Sequence, residues 1–327
     1  MTAAIARRRF VVGAAALLAA PLLARAQQRA SARVACLNFG SAEFFDDVRR
    51  ALAGLGYAEG RNVVYEPRAA NGRFDRLDAL AAELVAWRPD VIVVGATPAI
   101  QATMKATRTI PIVMATGGDA VKTGLVKSLA RPGGNVTGLS LALVELAGKM
   151  VELMHEALPR ARRFACVVNT QDPLHRGFLL EAQQAAKRVA IELRPVLLQN
   201  LDQVDGAFAG LVKDRVAAIV VHPIFVVGTA EDRARFVALS LKHRLPAVSG
   251  QRIFADAGGF MAYASNYTDR AKRVAVYVDQ ILKGAKPAEL PVQQPTKFEL
   301  VINNKTAKAL GLAIPNELLL RADEVIE

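Results

Sequence analysis

Cysteine is scarce in this chain. Cys36 and Cys166 are the only two in 327 residues, too few to staple a protein of this size or to supply a four-cysteine zinc site. Histidine is nearly as rare. His155, His175, His222 and His243 include no i, i+4 pair, the spacing that puts two imidazoles on one helix face toward a metal. Aromatics make up 6% of the residues, with a single tryptophan, and no basic stripe is interleaved with them, so the stacking surface of a nucleic-acid binder is missing. No G-x-G-x-x-G, G-x-x-x-x-G-K-[ST] or G-x-S-x-G occurs, which removes the usual footholds of dinucleotide, phosphate-loop and acyl-transfer chemistry. An enzyme is therefore the weaker expectation, and neither a cofactor nor a metal is expected.

Long apolar runs are also missing, apart from one. Val11 to Ala24 covers 14 residues, short of the roughly 20 needed to cross a bilayer core of about 30 Å. Arg7-Arg8-Arg9-Phe10 precedes it and Ala24-Arg25-Ala26 follows, the basic start and small-x-small cleavage site of a signal peptide spanning residues 1–26. Two adjacent arginines shortly before Phe10 favour a twin-arginine signal over a Sec signal with a basic start. Either places the mature chain in the periplasm. Removing Arg7, Arg8, Arg9 and Arg25 reduces the formal charge of +12 by four, to +8. The remaining basic residues often sit beside acids, as in Asp75-Arg76 and Asp269-Arg270, so the charge describes a soluble surface with no nucleic-acid partner. Cys36 and Cys166 lie inside apolar runs and read as buried free thiols.

An apolar content of 52% excludes disorder and supports more than one core. Short apolar runs alternate with amphipathic segments along the mature chain. The first set of expected strands is Val34 to Asn38, Val63 to Glu66, Val91 to Val94, Ile112 to Ala115 and Val136 to Leu139. The second is Phe164 to Asn169, Glu192 to Leu197, Ala218 to Val221, Ala247 to Ser249 and Phe260 to Tyr263. Continuous runs such as Val91-Ile92-Val93-Val94 suit parallel strands covered on both faces. The segment Phe74 to Trp87, with Leu77, Leu80, Ala81, Leu84 and Val85 at helical spacing, suits a covering helix. The pattern predicts a doubly wound α/β fold.

The two sets resemble each other. Arg33-Val34-Ala35-Cys36 opens one and Arg163-Phe164-Ala165-Cys166 the other, about one domain length apart. Two similar Rossmann-like lobes with a ligand cleft between them follow. The tail departs from the alternation. A helix at Tyr267 to Leu282 ends at Gly284, and Pro287, Pro291 and Pro295 lead to a strand at Phe298 to Asn303 and a helix at Lys305 to Leu310. Such a proline-punctuated stretch reads as a crossover. The chain is expected to cross between lobes near Ser140, Ser265 and Pro291. One lobe then comprises 33–140 with 266–286, the other 143–263 with 291–327.

Open α/β sheets bind ligands at the carboxyl ends of their strands. In the first lobe those ends carry Asn38 and Ser41, Ala96 and Thr97, then Gly118 and Asp119. In the second they carry Asn169 with Asp172, His222, and Gln251, with Asp256 and Tyr263 nearby. Thr97 followed by Pro98 reads as an N-cap and first helical position, and its free amides favour a ligand carboxylate. A second helix start is expected after Gly118-Asp119. A ligand ammonium would need an acid, for which Asp119 or Asp256 is best placed. Asn169, Gln251 and Tyr263 are expected to close on the ligand from the second lobe.

Longer runs carry a family resemblance. Leu129-Ala130-Arg131-Pro132-Gly133-Gly134-Asn135-Val136-Thr137-Gly138-Leu139-Ser140 closely resembles a signature of the ABC-transporter substrate-binding proteins related to the tryptophan/tyrosine-binding group. So do Gln294-Pro295-Thr296-Lys297-Phe298-Glu299-Leu300-Val301-Ile302-Asn303, Lys305 to Leu312, and Leu319 to Ile326. The resemblance covers essentially the whole mature chain. It implies the type I periplasmic-binding-protein fold, a monomer, a small-molecule ligand and an inner-membrane ABC permease as partner. Two departures bear on the ligand: Asp119-Ala120 stands where the family often has an acid-proline pair, and Tyr263-Ala264 where it often has Tyr-Gly. A solute-binding module that captures an amino-acid-like molecule is the expected function. A periplasmic sensor subunit reporting to a membrane receptor kinase is the alternative.

Overall fold

The computed structural model describes residues 31–327; the expected leader at 1–26 lies outside the described residues. Five strands form the first sheet: β1 (Ala32–Asn38), β2 (Val63–Ala69), β3 (Val91–Gly95), β4 (Ile112–Gly118) and β5 (Val136–Leu141). They run parallel in the order β2-β1-β3-β4-β5. Helices α1 (Glu43–Gly54), α2 (Leu77–Ala86) and α3 (Thr97–Ala106) make the crossovers. β3 and β5 are buried throughout, as strands covered on both faces must be.

The second sheet contains β6 (Arg163–Asn169), β7 (Glu192–Leu198), β8 (Ala218–Val221), β9 (Ala247–Ser249), β10 (Met261–Ser265), β11 (Phe298–Asn303) and β12 (Glu324–Ile326). Its order is β12-β11-β10-β9-β8-β6-β7. The run β7-β6-β8-β9-β10 repeats the order of the first sheet. Register repeats as well: Cys36 faces Pro67 on β2, and Cys166 faces Pro195 on β7. Both prolines sit on edge strands, where a missing N–H costs no ladder bond. The second sheet is larger than the repeat alone requires, because β11 adds antiparallel to β10 and β12 adds parallel to β11. Its remaining helices are α4 (Leu143–Ala157), α5 (His175–Arg188), α6 (Val204–Lys213), α7 (Ala230–Lys242) and α8 (Arg252–Asp256).

The chain changes sheets three times. It first passes from β5 into α4. After β10 it returns as α9 (Tyr267–Leu282), which buries Ala271, Val274, Ala275 and Val278 with Val34, Phe45 and Val48 of the first sheet and α1. The stretch that follows stays with the first sheet: Thr137 Oγ1 donates to the Leu290 carbonyl at 2.7 Å, and Gln293 N–H to that of Gly138 at 3.0 Å. The third crossing therefore falls between Gln293 and β11, slightly beyond Pro291. Two short helices, α10 (Asn304–Leu310) and α11 (Asn316–Arg321), finish the second lobe.

Two local expectations are corrected. Thr97 is not the N-cap of α3: Ala96 takes that place, and Thr97 is the first helical residue. No helix starts after Asp119. Residues 120–135 run in turns and bends, where Gly124 and Gly133 at positive φ and Pro132 interrupt any helical run. Cys36 and Cys166 are both buried and free, and they belong to separate apolar clusters. Burial pushes both thiols well above their ordinary range. Among the described residues no helix is long and apolar enough to cross a membrane, and no group of three or more His, Cys, Asp or Glu side chains could hold a metal ion.

Candidate functional site

The carboxyl ends of the two sheets face each other, and the loops there meet closely. Ser41 N–H donates to the Gly228 carbonyl at 3.2 Å. Gly40 lies so near Val227 that an added Cβ would overlap the Val227 carbonyl oxygen. Arg233 of α7, itself buried, reaches Glu43 of α1 across the gap at 3.1 Å. Behind these contacts is a cavity of about 60 Å³ with walls from both lobes, room for a few water molecules.

Seven of the expected residues line it: Asn38, Ser41, Ala96 and Thr97 from the first lobe, and Asp172, His222 and Gln251 from the second. Asn38 Nδ2 pins its own loop by donating to the Ser41 carbonyl. Ala96 has φ 74° and ψ 140°, a conformation that costs a non-glycine residue of order 1–3 kcal/mol. Its N–H donates to Thr116 Oγ1 at 2.7 Å, which helps to hold it there. Thr97 Oγ1 accepts the Gly118 N–H at 3.0 Å, so the hydroxyl ties α3 to β4 instead of capping its own helix.

The structure keeps the other five off the wall. Gly118 lies behind Thr97 and packs on Leu174. Asp119 turns to Lys122 at 2.9 Å. Asn169 closes its own loop, accepting Gln171 N–H at 2.9 Å and donating to the Gln199 carbonyl at 3.1 Å. Asp256 pairs with Arg252 at 3.4 Å in an outer groove that adjoins the cavity at Glu43, Ile253 and Tyr267. Tyr263 stacks on Phe298 at 5.7 Å, outside the cleft.

Sequence reasoning missed a group that enters from α1 and α9: Glu43, Phe44, Tyr267 and Arg270. Arg270 is 3% exposed. Its guanidinium lies 5.0 Å from the Tyr267 ring centre and 5.4 Å from that of Phe44. Burial lowers its pKa to about 10. One signal was present: Arg270 falls on the same helical stripe as Tyr267, Val274 and Val278, a face that should be apolar. Aliphatic side chains complete the wall, namely Leu143, Leu174, Pro223, Ile224, Val227 and Ile253.

Electrostatics differ between the lobes. In the second, Asp172 accepts Leu174 N–H at 2.8 Å, yet burial pushes its carboxyl up to about 6. His222 packs edge-on against Phe178 at 4.8 Å, and burial lowers its pKa to about 3, so it is neutral at pH 7. His222 Nδ1 and Arg270 Nε are buried without a hydrogen-bond partner. Buried polar groups are normally satisfied, so two such atoms facing one cavity, one from each lobe, suit a bound molecule.

Two doubly wound lobes enclosing a small polar-and-apolar cavity define a two-lobed small-molecule binding protein. The chain belongs to the ABC transporter substrate binding protein family, whose model matches residues 40–326. Among curated proteins it is 26% identical over 278 residues to a tyrosine-binding protein of Clostridioides difficile, covering 84% of this chain and 79% of that protein. Among solved structures, a conserved domain protein of Vibrio cholerae matches with 28% identity and TM-score 0.82, covering 90% of this chain and 99% of that one. An ABC domain of Streptococcus pneumoniae in complex with L-Trp matches with 25% identity and TM-score 0.82, covering 91% and 100%.

Proposed function

We propose that this protein is the periplasmic solute-binding component of an ABC importer, capturing an amino-acid-like molecule between its lobes. The lobes, 33–140 with 266–293 and 143–263 with 298–327, close about the three crossings, and the closed monomer delivers its ligand to an inner-membrane permease. One observation carries the reading: buried polar groups from both lobes converge without protein partners on a single cavity. The relatives named for tyrosine and found with L-Trp support an amino-acid ligand. Native mass spectrometry of periplasmically purified protein, followed by calorimetry with the twenty L-amino acids, tests it. Co-purification or saturable binding of an amino acid is the expected result, and binding of sugars alone would overturn it. Export rests on the leader: Arg7→Lys with Arg8→Lys should abolish periplasmic accumulation, whereas normal levels would assign the leader to the Sec route.

A further inference from the structure

Arg270 is a buried cation without a counter-ion. Among the described residues its guanidinium makes no ion pair and no hydrogen bond, and its Nε is fully enclosed. Two aromatic faces fix it in place, Phe44 on α1 and Tyr267 one turn earlier on its own helix. The one acid of α1 on the cavity wall, Glu43, faces Arg233 of the other lobe, with separations of 3.1 and 3.3 Å. Asp172, the other carboxyl on the wall, stands on the second lobe and takes its hydrogen bond from the Leu174 backbone. Among the described residues, therefore, no group neutralises Arg270.

Burying a charge is costly unless it is paired. Ring faces attract a guanidinium but do not satisfy its five N–H donors. A planar carboxylate supplies the missing negative charge and accepts two parallel bonds from the fork. Among the described residues Arg270 is also the only lysine or arginine on the cavity wall, which suits one carboxylate better than a phosphate dianion. A sugar or an amine would leave the charge uncompensated.

We propose that Arg270 binds the carboxylate of the ligand, and so restricts the protein to carboxylate-bearing solutes. This deepens the amino-acid reading and rests on the cleft being the ligand site. It also moves the anionic subsite from the start of α3, where the sequence placed it, to the aromatic clamp on α9.

The test uses the full mature protein. L-Tryptophan and L-tyrosine are titrated by calorimetry beside L-tryptophanamide and L-tyrosinamide, which keep the ring and the amine but lack the carboxylate. Inorganic phosphate and D-allose complete the set. Wild type should bind at least one of the two acids and lose roughly 10- to 150-fold or more in affinity on the matching amide. Arg270→Gln should lose affinity for the acid by the same factor while changing amide affinity less than threefold, and Arg270→Lys should recover part of the loss. Equal binding of acid and amide by wild type overturns the proposal even if no variant folds, and leaves the amino-acid reading standing. Acid binding by folded Arg270→Gln within threefold of wild type does the same. Tight binding of phosphate overturns the choice of carboxylate. Binding of D-allose alone, or of none of these probes, overturns the proposal; with all twenty amino acids silent as well, the amino-acid reading falls too.

Discussion

At the scale of single residues, Asp172 and His222 make opposite demands on the fold as pH changes. His222 titrates near 3 in the fold against an ordinary 6.5. Between those values the unfolded chain binds a proton that the fold refuses, so this stability, complete above pH 6.5, is lost as pH falls, at about 1.4 kcal/mol per unit. Asp172 titrates near 6 in the fold against 3.8. Its contribution is complete below about pH 4 and is lost at the same slope as pH rises through 6. The two cancel between about pH 4 and 6. Asp172→Asn should therefore expose the histidine, losing roughly 3 kcal/mol relative to wild type on going from pH 6 to pH 4. His222→Gln should gain by a similar amount. Urea midpoints at the two pH values measure both, and pH profiles parallel to wild type would refute the pairing. Thr97 makes a simpler demand. Removing its hydroxyl orphans the buried Gly118 N–H, so Thr97→Ala should cost about 1–3 kcal/mol of folding stability, and Thr97→Ser most of nothing. If Thr97→Ser were as unstable as the alanine variant, the hydroxyl would not be the cause.

Elements explain both what the sequence disclosed and what it hid. Strands β3 and β8 were legible because each is a continuous apolar run buried on both faces, and the Arg33 to Cys36 match with Arg163 to Cys166 marked equivalent strands. β12 was not, since three residues with no buried side chain carry no periodicity. The segment after Asp119 was misread because capping chemistry and turn chemistry use the same residues. Seven of the eighteen residues of the cavity wall were legible as strand ends. The contribution of α9 was not, because Tyr267 and Arg270 reach the cavity only through a crossover that places them about 230 residues along the chain from Phe44. Gly40 gives these loops a direct test. It is tight against Val227 only when the lobes are together, so Gly40→Ala should leave each lobe folded and oppose closure. We expect at least a tenfold loss in affinity for the amino acid that wild type binds, with a melting temperature of the ligand-free protein within about 3 °C, roughly 1 kcal/mol for a chain of this size. Undiminished affinity would show that the contact between the loops is not part of the bound state.

Over the whole molecule, the two lobes carry the same strand order but differ in how they are held. The first sheet needs α9, supplied by a chain that has already built most of the second lobe, to cover Val34, Cys36 and Phe45. The lobes should therefore fold interdependently and still move as units, since among the described residues only three connections cross between them. Apolar contact also joins the lobes in this structure, where Phe39 and Ala70 share a cluster with Phe225 and Val226. Of the polar links, Arg233 to Glu43 is half exposed on the glutamate side, and such pairs contribute about 0–1 kcal/mol. Glu43→Gln should then weaken ligand binding by no more than about fivefold. On the proposed hinge mechanism, closure would be driven by the ligand itself, through contacts made fully only when both walls are present. Small-angle scattering should show a smaller radius of gyration for wild type at saturating ligand than without it, while Gly40→Ala remains at the larger value under the same conditions. A wild-type profile unchanged by ligand would mean that the lobes are already together in solution, and that solute enters through local loop opening in place of rotation about the crossings.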